Sequence, residues 1–211
     1  MIIGKPADGY TSSAKQQYRK SVWDFVAANV RKPIAERKVA IVDTAAAFET
    51  KHLLKLGYAA ENITVINRDP HEFANRYTGT QLLCGDVFHV LRNIQGKRLP
   101  YCTVNLDLCG PYSFALARNI RTVAARLRPG SVIAVTMWRR SMEPAGTFPI
   151  DRPPSARLIQ ITGRADTPID LPCTKDQWRL LYTAGAFGIN RIDRLRYGMY
   201  NKMFWIAARL R

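Results

Sequence analysis

The segment Asn105-Leu106-Asp107-Leu108-Cys109-Gly110-Pro111-Tyr112 gathers a carboxylate, a thiol and an aromatic ring within eight residues. Asp107 closes an apolar run that begins at Tyr101, and Asp43, Asn67 and Asp86 each stand at the end of an earlier one. Polar residues at such positions face the place where open α/β sheets bind ligands, beyond the carboxyl ends of their strands. Residues 43–49 lead into a helix N-terminus, whose amides suit a carboxylate or an acceptor-rich ligand. Asp86 can accept a hydrogen bond from an amino group. Cys109 offers a thiolate nucleophile, although a free cysteine more often serves as a small buried hydrophobe. His52, His71 and His89 fall in predicted helices and read as surface or packing residues rather than a general base. The cysteines Cys84, Cys102, Cys109 and Cys173 form no CxxC pair and no metal-ligand spacing with the histidines, so no metal site is expected.

The elements that position these residues follow from periodicity. Ser13-Ala14-Lys15-Gln16 reads as a capping box, and Tyr18, Val22, Phe25, Val26 and Val30 continue at helical spacing toward Pro33. Val39 to Val42 is a first strand, followed by a helix with Phe48, Leu53, Leu54 and Leu56 that Gly57 closes. Ile63 to Ile66 and Gln81 to Cys84 are the next strands, with a helix between them opening at Asp69-Pro70 and another after Asp86. Tyr101 to Leu106 is the fourth strand, Phe114 to Leu127 a helix and Ser131 to Trp138 the fifth strand. This alternation predicts a parallel sheet covered on both faces. Residues 141–173 are rich in proline without periodicity and read as a long loop. Thr174 to Gln177 opens a last helix, and Ile189–Tyr197 and Lys202–Leu210 form a hairpin about a turn at Gly198–Asn201. The fold class is therefore α/β, seven strands in three layers, five parallel plus a C-terminal antiparallel hairpin, an arrangement that resembles the Rossmann-like folds.

The 211 residues carry 32 Lys and Arg against 16 Asp and Glu, a formal net charge of +16, with 47% hydrophobic residues. That length fits one domain, and the apolar content excludes wholesale disorder. The domain divides into a basic N-terminal helix (1–38), a ligand-binding core (39–140), the Pro-rich loop (141–173) and the terminal helix and hairpin (174–211). No stretch reaches the ~20 apolar residues of a membrane span, and Met1 to Pro6 lacks a secretory h-region, which predicts an intracellular, cytoplasmic protein. Residues 40–117 are charge-neutral, whereas the flanking segments are basic. That map points to a small ligand in the middle and a polyanion around it, nucleic acid above all. Lys15, Arg19 and Lys20 in the first helix and Trp138-Arg139-Arg140 at the end of the fifth strand are the expected contacts. A stacking ring beside guanidinium groups suits an extruded or single-stranded base.

The whole series resembles class I S-adenosylmethionine-dependent methyltransferases. The resemblance rests on Val39–Asp43, Asn67-Arg68-Asp69-Pro70, Cys84-Gly85-Asp86, Asn105-Leu106-Asp107, Leu127–Ile133 and the tail Tyr182–Phe187 before the hairpin. It implies S-adenosyl-L-methionine as cofactor, held by Asp43, Ala45 and Ala47 in the first loop, Asn67 at the ribose, and Asp86 with Val87 at the adenine. It departs from the family where Ala45, Ala47 and Glu49 stand in place of three loop glycines, and where Asn67 replaces a carboxylate. Asp107 and Tyr112 resemble the Asp-Pro-Pro-Tyr loop of amino-methylating nucleic-acid enzymes, which implies a carboxylate accepting from the target amine and a ring stacking on its base. Cys109 would instead imply attack on cytosine C6, without the Pro-Cys pair that such enzymes use. The resemblance thus implies methyl transfer to nucleic acid, RNA slightly before DNA. The alternative is a catalytically silent relative that binds nucleic acid or a partner protein, and a third reading is a small-molecule or protein methyltransferase.

Overall fold

The computed structural model describes residues 13–44, 46–68, 79–111, 113–138, 183–200 and 203–211. Ala45, Tyr112, Arg139, Arg140, the helix expected at Asp69-Pro70, the loop 141–173 and the capping box at Thr174 lie outside the described residues.

Helix α1 (Ser13–Asn29) precedes β1 (Val39–Val42), α2 (Phe48–Lys55) and β2 (Ile63–Asn67). Next come β3 (Gln81–Cys84), α3 (Val87–Asn93), β4 (Thr103–Pro111), α4 (Phe114–Arg126) and β5 (Val132–Trp138). Residues 183–187 are helical, and β6 (Ile192–Tyr200) and β7 (Met203–Leu210) complete the chain. The strands form one sheet in the order β3-β2-β1-β4-β5-β7-β6. Strands β1 to β5 are parallel to their neighbours, whereas β7 runs antiparallel to both β5 and β6. The chain starts at β1, winds outward to β3, then returns to β4 on the other side. Strand order therefore reverses between β1 and β4, the point where such sheets open a crevice.

Alternation along the strands sorts the core into two layers. Ala40, Val104, Leu106 and Ile133 join Leu91 of α3 and Ile120 of α4 on one face. Val39, Ile41, Ile63 and Val132 meet Val22 of α1 and Leu53 of α2 on the other. Both faces are covered, so central strands such as Val39-Ala40-Ile41-Val42 are apolar throughout rather than alternating. Ser113 caps α4 by accepting from the Leu116 amide at 3.1 Å, and Gly57, at φ +91°, ends α2 as the sequence predicts. No described helix is long and apolar enough to cross a membrane.

Two boundaries differ from expectation. Strand β4 does not stop at Asp107 but continues to Pro111, which pairs with Trp138 after a register break. The hairpin turn does not begin at Gly198, because β6 carries on to Tyr200 opposite Met203. Gly198 is required by packing: a Cβ there would lie 2.7 Å from Trp205 Nε1 and 2.9 Å from Cε2. Trp205 is itself buried, so the ring has no room to yield.

Candidate functional site

A cavity of about 510 Å³ opens at the carboxyl ends of β1, β2 and β4, at the reversal of strand order. Its volume falls in the usual range for small-molecule sites, roughly 300–1,000 Å³. Val42, Asp43 and Thr44 line it from β1, Asn67 and Arg68 from β2, Asp107 and Leu108 from β4. Gly85, Asp86, Val87 and Phe88 form a further wall at the start of α3, and Arg19 of α1 and Glu49 of α2 close the inner end.

Asp43 is buried, and its carboxylate builds the loop. Oδ1 accepts the Thr44 amide at 2.8 Å and the Glu49 amide at 3.3 Å; Oδ2 accepts the Thr50 amide at 2.8 Å and the Thr50 hydroxyl at 2.7 Å. Burial raises the Asp43 pKa above the ordinary carboxylate value, against these four hydrogen bonds, which lower it. The expected free amides at the start of α2 are thus corrected, since those of Glu49 and Thr50 already have a carboxylate partner. Asn67 donates from Nδ2 to the Asp43 carbonyl at 3.1 Å, tying the tips of β1 and β2 together beside the cavity. Ala47, fully buried, does not line the cavity. It takes the left-handed conformation at φ 50°, ψ 44°, and its amide donates to the Thr44 carbonyl at 2.7 Å. The backbone therefore keeps the bend that a glycine loop makes, with an alanine at its strained position.

Glu49 lines the cavity with both carboxylate oxygens already engaged. Its Oε2 accepts from Arg19 Nε at 2.9 Å, and Oε1 accepts from Trp23 Nε1 at 2.6 Å and Asn105 Nδ2 at 3.2 Å. Burial, followed by the nearby Asp107 carboxylate, pushes its pKa up to about 7. A second buried ion pair joins Lys15 Nζ to Asp107 Oδ2. Asp107 Oδ1 is buried and unpartnered among the described residues, and so is Thr44 Oγ1. Both belong to cavity-lining side chains, so the site holds unmet acceptor capacity where a ligand would sit.

Asp86 is the N-cap of α3. Oδ1 accepts from the Phe88 and His89 amides at 3.1 and 3.2 Å, and Oδ2 pairs with Arg68 Nη2 at 2.8 Å. Desolvation raises its pKa, but the Arg68 hydrogen bond and the two amides outweigh that, leaving it below the ordinary value.

The structure brings Asp43, Asn67, Asp86, Val87 and Asp107 around one cavity, whereas Ala47 is not among its lining residues. Lys15 and Arg19 are corrected as surface contacts. They are 4% and 6% exposed, turned inward onto Asp107 and Glu49, and of the three expected α1 cations only Lys20 is exposed, paired with Asp24. Trp138 is 46% exposed at the end of β5. The Arg19–Trp23–Glu49–Asn105 cluster was missed from sequence. Its one visible signal is Glu49 itself, a carboxylate at a small-residue position, which demands a buried donor.

Seven strands in this order, with a cavity at the switch point, define the class I methyltransferase fold. The structure is similar to human methyltransferase-like protein 13 in complex with S-adenosylhomocysteine (TM-score 0.56, 11% identity, 92% of this chain and 82% of that one). It is similar to a putative methylase of Haemophilus influenzae (TM-score 0.54, 11% identity, 94% and 99%). Against human N-acetylserotonin methyltransferase, solved with S-adenosylmethionine, the chain is covered to 98% but spans 60% of that protein's length (TM-score 0.48, 14% identity). No protein-family model matches the sequence, and no curated protein matches it.

Proposed function

We propose that the chain is an S-adenosylmethionine-dependent methyltransferase whose acceptor is nucleic acid, RNA before DNA. The observation that carries the reading is the cavity at the β1/β4 reversal, where Asp107 Oδ1 and Thr44 Oγ1 are without partners among the described residues. Such a cavity suits a ligand that brings donors, as the ribose hydroxyls and amino groups of an adenosyl cofactor do. Asn67 and Asp86 would hold its nucleoside, with Phe88 and Val87 supplying apolar wall. The cofactor supplies a methyl group on a good leaving group. The protein's task is therefore chiefly to bind, orient and exclude water. Lys15 pairs with one oxygen of Asp107, and the other, without a partner among the described residues, would take a hydrogen bond from an incoming amine. The net charge of +16 supports a polyanionic acceptor.

The test is incorporation of labelled methyl from S-adenosylmethionine into total RNA, total DNA and a mixed protein extract, side by side. Label in RNA that is lost in Asp107→Asn supports the reading. Label confined to protein overturns its nucleic-acid part, and no label in any of the three overturns methyl transfer. The Asp43 carboxylate, committed to the loop, favours the second reading of a silent nucleic-acid-binding module. That reading predicts salt-sensitive RNA binding with no thermal shift on adding S-adenosylhomocysteine.

A further inference from the structure

At the opposite end of the sheet, where the parallel strands begin, a second pocket of about 220 Å³ is lined, among the described residues, by four cations and no carboxylate. Arg31 and Lys32 enter it from the end of α1, Arg128 from the start of β5 and Arg209 from the end of β7. The first three are exposed. Arg37, buried, holds the 30–32 segment in place by donating to the Lys32 carbonyl at 2.8 Å and the Val30 carbonyl at 2.9 Å. Arg209 gives Nη1 to Asp193, while its Nε is buried and without a partner among the described residues. Exposed Lys38 and Lys97, just before β1 and β4, add charge at the same end. By contrast, the carboxyl-end cavity is lined by four carboxylates and two cations.

A second observation narrows the ligand. Asn29, 7% exposed, lines this pocket; its Nδ2 donates to the Phe25 carbonyl at 2.7 Å, which orients the amide, and its Oδ1 is buried and without a partner among the described residues. Phosphate oxygens only accept, so they cannot satisfy Oδ1. A ribose 2′-hydroxyl can donate to it, and that group distinguishes RNA from DNA.

We propose that this pocket seats the RNA backbone, with a phosphate on Arg31, Lys32, Arg128 and Arg209 and a 2′-hydroxyl donating to Asn29 Oδ1. The seat lies about 20 Å from the carboxyl-end cavity, the length of β5 at roughly 3.3 Å per residue. It therefore anchors a folded or long RNA away from the site of chemistry. The inference rests on the nucleic-acid part of the proposed function and not on methyl transfer.

The test is fluorescence anisotropy of the full chain with labelled single strands of about 16 nucleotides, RNA and DNA of one sequence, between roughly 50 and 200 mM salt. The wild type is expected to bind RNA several-fold more tightly than DNA. R31A/K32A/R128A is expected to raise the RNA Kd roughly tenfold and lower the slope of log K against log salt by about 0.7, the share of one phosphate contact. N29A is expected to bring RNA and DNA to equal affinity with DNA binding unchanged. Unchanged affinity and slope in the triple variant, or an intact RNA preference in N29A, would overturn the seat. So would displacement of the RNA by submillimolar inorganic phosphate, which would mark a small-anion site. S-adenosylhomocysteine titrated into the same proteins separates the two readings. RNA binding without it sinks the methyltransferase and spares the seat, whereas cofactor binding with no RNA binding in the wild type overturns the seat.

Discussion

Arg19 of the first helix reaches Glu49, and the 2.9 Å contact between its Nε and the carboxylate holds that side chain in the cavity wall. A carboxylate in a small-residue position is thereby compatible with an open site. Glu49 gains Arg19, Trp23 and Asn105 as partners, and the space beside it stays free for a ligand.

This burial has a pH signature. With Glu49 raised to about 7 in the fold, chiefly by desolvation and then by Asp107, the native state holds its proton more tightly than the unfolded chain does. Its contribution to stability is greatest below the ordinary glutamate value of 4.5 and is lost as pH climbs through about 7. Thermal unfolding between pH 5 and 8 should show Tm falling with rising pH in the wild type and a flatter profile in Glu49→Gln. An equal slope in both proteins would contradict the assignment. Asp86 titrates in the opposite sense, its stabilisation being lost only in acid, and does not disturb this window.

Ala47 tests the loop backbone. An L-residue in the left-handed region costs about 1–2 kcal/mol, and the extra unfolded-state freedom of glycine returns about 0.4–1 kcal/mol of that. Ala47→Gly should therefore leave stability unchanged or raise it by up to about 1 kcal/mol, while Ala47→Val should lower it by about 2 kcal/mol or more. Denaturant midpoints measure both. A Gly variant clearly less stable than the wild type would show that the φ of 50° is wrong.

Asp86 combines a cap and a ligand contact, which a choice of substitution can separate. Asp86→Ala should lose about 1 kcal/mol of stability with the cap, whereas Asp86→Ser keeps a capping oxygen. Both should weaken S-adenosylhomocysteine binding, read by calorimetry. Undiminished affinity in the Ser variant would remove Asp86 from the site.

Much of this was legible in the sequence because it is local. The apolar runs at Val39, Ile63, Gln81 and Tyr101 marked the strands, and Asp43, Asn67, Asp86 and Asp107, at or just past their ends, marked the cavity rim. What escaped depends on partners far along the chain. Lys15 and Arg19 read as surface cations because Tyr18, Val22 and Val26 already supply an apolar stripe on α1. Their burial is set by Asp107 and Glu49, 92 and 30 residues away. Gly198 read as a turn because glycine usually marks one, yet here it makes room for the Trp205 indole across the hairpin. The overrun of β4 past Asp107 depends on pairing with Trp138, which periodicity within β4 does not encode.

The central claim is that the cavity between β1, β2 and β4 receives an adenosyl cofactor. Isothermal titration with S-adenosylhomocysteine tests it most directly. One-to-one binding in the micromolar range, weakened in Asp86→Ser, is the predicted result. No heat of binding at millimolar ligand, from protein that melts cooperatively, would contradict it.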